Sequence, residues 1–189
     1  GRHQEAREKV YRDRILRGTG SDGFYSTRKL GAIGADLAAV AAFFDRSTAG
    51  PWSQLSPNLS PADQAWLLAV AAFNLRALGR LTEALQPMRA NLEMRVRREE
   101  WQHAPSSASN LSELELTLGR LPDAVSDARQ SITHAAQSGD AFWRMASRCK
   151  SADALHQSGQ RDEAGALFAE AEAMQQEDQP QFALLYPLR

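Results

Sequence analysis

Three groups of residues in this 189-residue chain have types and spacings that could do chemistry. The run Gly18-Thr19-Gly20-Ser21-Asp22-Gly23 matches G-x-G-x-x-G, in which a glycine-rich turn brings backbone N–H groups against a pyrophosphate. That chemistry needs a strand before the turn and a helix opening inside it. Here a charged helical run comes first, so the segment reads as an interhelical turn. The four histidines, at 3, 103, 134 and 156, stand at no mutual metal-ligand spacing and have no cysteine cluster beside them, which predicts no metal site. Cys149 lies between Arg148 and Lys150, and a nearby cation would lower a thiol pKa. Chain neighbours do not share a helix face, however, and no histidine stands three or four residues away, so a plain helical cysteine is expected. The carboxylates are scattered as on a solvated face, not paired as a general acid and base. No phosphate loop, G-x-S-x-G or H-E-x-x-H occurs. These residues predict no enzyme, no catalytic residue and no cofactor.

The elements that would position any site come next. Hydrophobic residues make up 43% and charged residues 24%, enough apolar material for a core. The 22 Lys+Arg against 23 Asp+Glu lack the basic excess of a nucleic-acid or anionic-membrane binder. No apolar run reaches the roughly 18 residues of a membrane span and no leader opens the chain, and one cysteine cannot form an internal disulfide, so a cytoplasmic setting is expected. Thirty-two alanines against five valines and three isoleucines are a helical composition. The chain opens inside a helical pattern and stops where another begins, which reads as a piece of a longer polypeptide.

The chain repeats. Leu78-Gly79-Arg80-Leu81-Thr82-Glu83-Ala84-Leu85 returns as Leu118-Gly119-Arg120-Leu121-Pro122-Asp123-Ala124-Val125, and again as Ser158-Gly159-Gln160-Arg161-Asp162-Glu163-Ala164-Gly165. The glycines fall at 79, 119 and 159, two equal spacings of 40. Glycine closes a helix in the left-handed conformation at little cost. The next helix starts two residues later with an acidic residue facing the positive end of its dipole, at Glu83, Asp123 and Glu163. An alanine follows at 84, 124 and 164, and a small residue precedes each glycine by seven: Ala72, Ser112 and Ala152. Small residues on both helices let an antiparallel pair touch where it crosses.

Those residues resemble the tetratricopeptide repeat (TPR) family over about residues 61–179, in its long-period variety, as in kinesin light chains and the sensor regions of bacterial signalling ATPases of the STAND/NACHT type. The resemblance departs from the family pattern in two places. The aromatic before the acidic–Ala pair is replaced by Leu81, Leu121 and Arg161, and Gly165 stands where a large apolar residue is usual. The expected fold is all-α, a right-handed solenoid of antiparallel helix hairpins, at 61–99, 101–138 and 140–179. Residues 1–60 form a degenerate helix pair plus a long loop, and 180–189 begin a further helix, all in one continuous stack. Ser60-Pro61-Ala62-Asp63 caps a helix to Leu78 whose stripe is Trp66, Val70, Phe73 and Ala77. Pro87 should bend the next helix or delay its start. Gln4–Arg17 and Phe24–Asp45 make the upstream pair, and Gly31, Gly34, Ala35, Ala38, Ala39 and Ala42 give the latter a smooth face for close packing. Trp52 and Leu55 pin the loop before Ser60.

The resemblance implies a concave groove lined by the first helix of each hairpin. Carried over, its groove-facing residues are Trp66, Ala69, Phe73 and Arg76, then Ser109, Asn110, Glu113 and Leu116, then Cys149, Lys150, Asp153 and His156. The family's carboxylate clamp uses Lys and Asn where this chain has Ala69, Phe73, Ser109, Glu113, Cys149 and Asp153, so a chaperone-tail adaptor is not expected. Asn110 stands where long-period members hold an extended peptide backbone, a task suited to an amide with donor and acceptor; a packing or capping role is the alternative. The implied function is noncatalytic binding of a protein or peptide, for an effector elsewhere in a signalling polypeptide. Arginine over lysine, 19 to 3, with abundant alanine fits a GC-rich bacterial genome. The alternative is a self-association scaffold. It is motivated by eight basic against four acidic groups in residues 1–30 and two against six in 161–189.

Overall fold

A computed structural model describes residues 2–18, 23–45, 51–52 and 54–178. Among these every regular element is helical. The chain divides into two compact units, Gly1–Asn91 and Leu92–Arg189. The boundary falls inside α4, Leu81–Arg97. The helix expected after Pro180 lies outside the described residues.

The first unit opens with α1, His3–Glu5, which runs on as the wide helical segment π1, Ala6–Ile15. Its buried side chains are Arg7 and Tyr11, followed by Leu16, spaced four and five apart as a turn wider than 3.6 residues requires. The single helix expected over Phe24–Asp45 is instead two: π2, Tyr25–Lys29, and α2, Ile33–Ala41. Gly31 between them has φ +61°, which ends one helix and restarts the chain. The smooth-face expectation for α2 is also corrected. Gly31, Gly34, Ala35, Ala38 and Ala42 are exposed and Ala39 is half-buried, while Asp36, Leu37 and Val40 turn inward with Phe43 and Phe44. Larger apolar groups bury more area, so they take the inner face. Of the following loop, Trp52 is buried edge-on to Phe44 at 5.2 Å, and Phe44 pairs with Leu55 in an isolated antiparallel bridge.

Helix α3, Pro61–Ala77, begins at the cap read from sequence. The Ser60 hydroxyl accepts the Asp63 N–H at 3.2 Å and donates to its carboxylate at 2.7 Å. Gln4 and Arg7 bind the same carboxylate at 2.7 Å each, which ties the chain's first helical segment to this helix start. Burial opposes ionisation of Asp63, but hydrogen bonds from Gln4 and Ser60 and the nearby arginines hold its carboxyl below the ordinary value. Helix α4 does not start late. It runs from Leu81 to Arg97 with Pro87 in its interior.

In the second unit α5, Ala104–Thr117, pairs with α6, Leu121–Ser138; α7, Ala141–Gln157, pairs with α8, Arg161–Asp178. Helix α7 also packs on both α5 and α6, so the like-placed first helices lie side by side. The core is thin and alanine-rich: Ala128, Ala154, Leu155 and Ala164 meet in one cluster, and Met145, Ala146, Cys149 and Ala171 in another. Where α5 crosses α6 the Ser112 hydroxyl donates to the Ala124 carbonyl at 2.8 Å.

The turns are alike in hydrogen bonding. Gly79, Gly119 and Gly159 have φ of +73°, +72° and +85°. After each, the next N–H (Arg80, Arg120, Gln160) donates to the carbonyl five residues back (Leu75, Glu115, Leu155) at 2.9, 2.8 and 2.9 Å. The same closure occurs at residue 99, where Glu100 N–H reaches the Arg95 carbonyl at 2.9 Å and Glu99 sits at φ +55°. With Gly139 at +69°, left-handed residues punctuate the chain every 20 residues from 79 to 159, a finer rhythm than the 40-residue repeat.

Candidate partner-binding face

In the second unit α5 carries the exposed Asn110 and Glu113, and α7 carries the half-buried Lys150 and Asp153 and the exposed His156. Spacings of three put each set on one helix face. The two sets are joined where the Lys150 ammonium donates to Glu113 at 3.1 Å, with Lys150 largely covered and Glu113 half-exposed. The result is a hydrated face of mixed charge with an amide at one end, suited to hydrogen bonding an extended backbone and its polar side chains.

Two residues assigned to this face do not stand on it. Ser109 is 1% exposed and Cys149 fully buried, packed with Met145, Ala146 and Ala171. Successive helix positions are about 100° apart, so Ser109 cannot face the way Asn110 does, nor Cys149 the way Lys150 does. Burial raises the Cys149 thiol pKa, which leaves it a protonated packing group. Leu116 is half-buried against the apolar cluster around Leu155.

In the first unit Trp66 is drawn inward. It meets Tyr11 edge-on at 5.8 Å and Phe24 at 6.4 Å, and the Arg7 guanidinium lies 4.5 Å over its ring. Ala69 and Phe73 are exposed, Phe73 by 58%, a large apolar side chain in water; Arg76 is half-buried.

The described ends of the glycine run at 18–23 lie between two helical segments. Gly18, at φ +95°, follows π1, and Phe24 leads into π2; among the described residues no strand precedes the run, and its residues 19–22 lie outside those described. Among the described residues no cluster of three or more His, Cys, Asp or Glu could hold a metal ion, and no helix is long and apolar enough to cross a membrane.

Sequence reasoning missed a second set: Asp36, fully buried under hydrogen bonds from Tyr11, Ser26 and Asn74, and the Phe24 and Arg28 side chains nearby. A signal existed. Asp36 and Asn74 are lone polar residues inside the apolar helical runs Ile33–Ala42 and Trp66–Leu75. Buried polar groups persist in such runs only when hydrogen-bonded.

Helix hairpins of this geometry match solved structures. One is a crystal structure of a point variant of the nearly identical TPR-like repeats of a Podosopora anserina protein named for kinesin light chains. It has a TM-score of 0.65 and 18% identity, over 82% of this chain and 73% of that one. The fold is that of TPR-like helical repeats. No protein-family model matches the sequence, and no curated protein does. Both the loss of the aromatic at Leu81, Leu121 and Arg161 and the 40-residue period take these repeats away from the common pattern.

Proposed function

We propose that this chain is a noncatalytic protein-interaction region that holds a peptide or partner segment along the first helices of its hairpins, within a larger, bacterial, cytoplasmic signalling protein. The hairpins 61–99, 101–138 and 140–179 are its successive repeats. One observation carries the reading: residues at equivalent repeat positions on α5 and α7 form one polar face, exposed at Asn110, Glu113 and His156 and half-buried at Lys150 and Asp153, with Glu113 and Lys150 in contact across the two helices. Polar side chains at matched positions suit repeated contacts to an extended chain.

The test is selection of peptides from a random display library on the purified chain, followed by calorimetry with the selected peptides. Asn110→Ala and Asp153→Lys should each abolish or weaken binding at least tenfold, while Gln130→Ala on α6 leaves it unchanged. Peptides that bind all three variants equally would remove this face from the function.

A second reading, self-association, is favoured by the exposed small residues Gly34, Ala35 and Ala38 and by Leu30, itself 62% exposed. A helix of another copy could pack closely there. Light scattering over a concentration series distinguishes the two: a constant monomer mass favours partner binding, and a symmetric oligomer favours the scaffold.

A further inference from the structure

Segment π2 and helices α2 and α3 line an open-mouthed pocket of about 230 Å³ in the first unit. Phe24, Ala69, Val70 and Phe73 form apolar walls, Arg28 contributes a cation, and Thr27, Asp36 and Asn74 are the other polar groups of the lining, the Thr27 hydroxyl donating to the Phe24 carbonyl at 3.2 Å. The volume is below the roughly 300–1,000 Å³ of sites for drug-sized ligands, and fits a molecule of about amino-acid size.

The polar lining is unbalanced. Asp36 is 1% exposed and accepts from the Tyr11 hydroxyl at 2.9 Å, the Ser26 hydroxyl at 2.7 Å and the Asn74 amide at 2.7 Å. All three donors are neutral, and no cation pairs with this carboxylate among the described residues. A carboxylate has about four lone-pair sites, so one remains. Asn74 is fully buried, and its amide oxygen has no hydrogen-bond partner. Arg28 lies 4.9 Å over the Phe24 ring and has no carboxylate partner among the described residues. Buried acceptors outnumber donors here, and a buried charge is normally compensated.

We propose that this pocket binds a primary ammonium on a compact apolar body. The ammonium donates to Asp36 and Asn74, and the apolar part lies against Phe24, Val70 and Phe73. A carboxylate on the same molecule pairs with Arg28, so a free apolar amino acid satisfies Asp36, Asn74 and Arg28 together. A lysine side chain of a peptide presents the same head on the same kind of stem. The site is separate in kind from the polar face of α5 and α7, and either can fail without the other.

The test is calorimetry on the full chain with 3-methylbutylamine, leucine, 4-methylpentanoate and a terminally blocked lysine. The amines bind and the acid, which keeps the body but lacks the ammonium, does not. Phe73→Ala, which alters only an exposed side chain and preserves the fold, weakens every amine by about tenfold. Arg28→Ala weakens leucine and leaves 3-methylbutylamine unchanged. Asp36→Asn removes the charge at constant shape and abolishes amine binding; if it fails to fold, the Phe73 and Arg28 variants still decide. Tighter binding of blocked lysine identifies a peptide source, and tighter binding of leucine a free amino acid; both support the site. No amine binding at millimolar concentration, equal binding of 4-methylpentanoate, or indifference to Phe73→Ala overturns it.

Discussion

In the C-terminal unit small side chains recur where helices pack, as Ser112 meets Ala124 and as Ala128, Ala154 and Ala164 cluster, whereas in the N-terminal unit a buried aspartate gathers donors from three separate helical segments. The first arrangement is repetitive. Each crossing needs only small side chains at fixed offsets from a glycine turn, and the stacking of like hairpins buries the rest. The second occurs once. Tyr11, Ser26 and Asn74 reach Asp36 over 25, 10 and 38 residues of sequence, and Gln4 reaches Asp63 over 59. Repetition specifies a fold by pattern; a polar hub specifies it by a few contacts, none of which recurs.

The sharpest break of this comparison is Asp36→Ala. It strands the Tyr11 hydroxyl, the Ser26 hydroxyl and the Asn74 amide in the interior, at a cost of about 3–5 kcal/mol. Burial and the neighbouring carboxylate push the Tyr11 phenol far up from its ordinary value, so it stays a donor and cannot adapt by ionising. Hydrogen exchange followed by mass spectrometry should show protection lost across α2 and α3 and retained in α5–α8. Equal loss in both regions would mean that the two units do not differ in what holds them.

The opposite intervention is Ala152→Leu. Ala152 is fully buried, and extra methylenes in such a crossing cost about 1–3 kcal/mol through overpacking. Chemical denaturation should report that loss, with exchange now accelerated in α7 and α8. A neutral result would show that the alanine crossings have slack and that their spacing carries less of the fold than the repeat implies.

The turns test the same idea on a smaller scale. At Gly119 an added Cβ meets nothing within 4 Å, so Gly119→Ala measures conformation alone and should cost about 1–2 kcal/mol. Glu99 holds the equivalent left-handed geometry at φ +55° with a side chain, and Glu99→Gly should stabilise by roughly 0.5–1 kcal/mol. Opposite signs in paired thermal melts would establish 99 and 119 as one kind of turn.

Glu99 also marks where the sequence stops being legible. The glycines at 79, 119 and 159 announce their turns, while an acidic residue in the same conformation announces nothing. Its turn is visible only as an end of helical pattern before Trp101. The π segments were hidden for a related reason: their wide turns bury Arg7, Tyr11 and Leu16, a spacing that no 3.6-residue template matches. Within the candidate face the limit was angular. Position in the repeat identified the correct helices, but naming both Ser109 and Asn110, or both Cys149 and Lys150, assigned one face to residues about 100° apart. The burial of Asp36 and Asn74 was signalled by their isolation in apolar runs, but their meeting with Phe24 at one pocket was not, because the three come from segments with no common period.

The smallest expected effect separates the two units by pH. His134 in the C-terminal unit is buried and stacks on Trp101, with ring centroids 5.8 Å apart; burial lowers its pKa from the ordinary 6.5. The folded state therefore binds the proton less readily than the unfolded chain. The contribution is complete above pH 6.5 and declines as pH falls from 6.5 through the lower folded value. In the N-terminal unit Asp63 has its pKa lowered from 3.8, so its contribution is complete above 3.8 and declines only below it. Exchange measured from roughly pH 5 to 8 should show α6 losing protection at the acid end while the start of α3 keeps its own. His134→Phe preserves the stacking and removes the titration, so its α6 protection should be flat across that range. A slope that survives the substitution would place the proton elsewhere and remove this distinction between the two units.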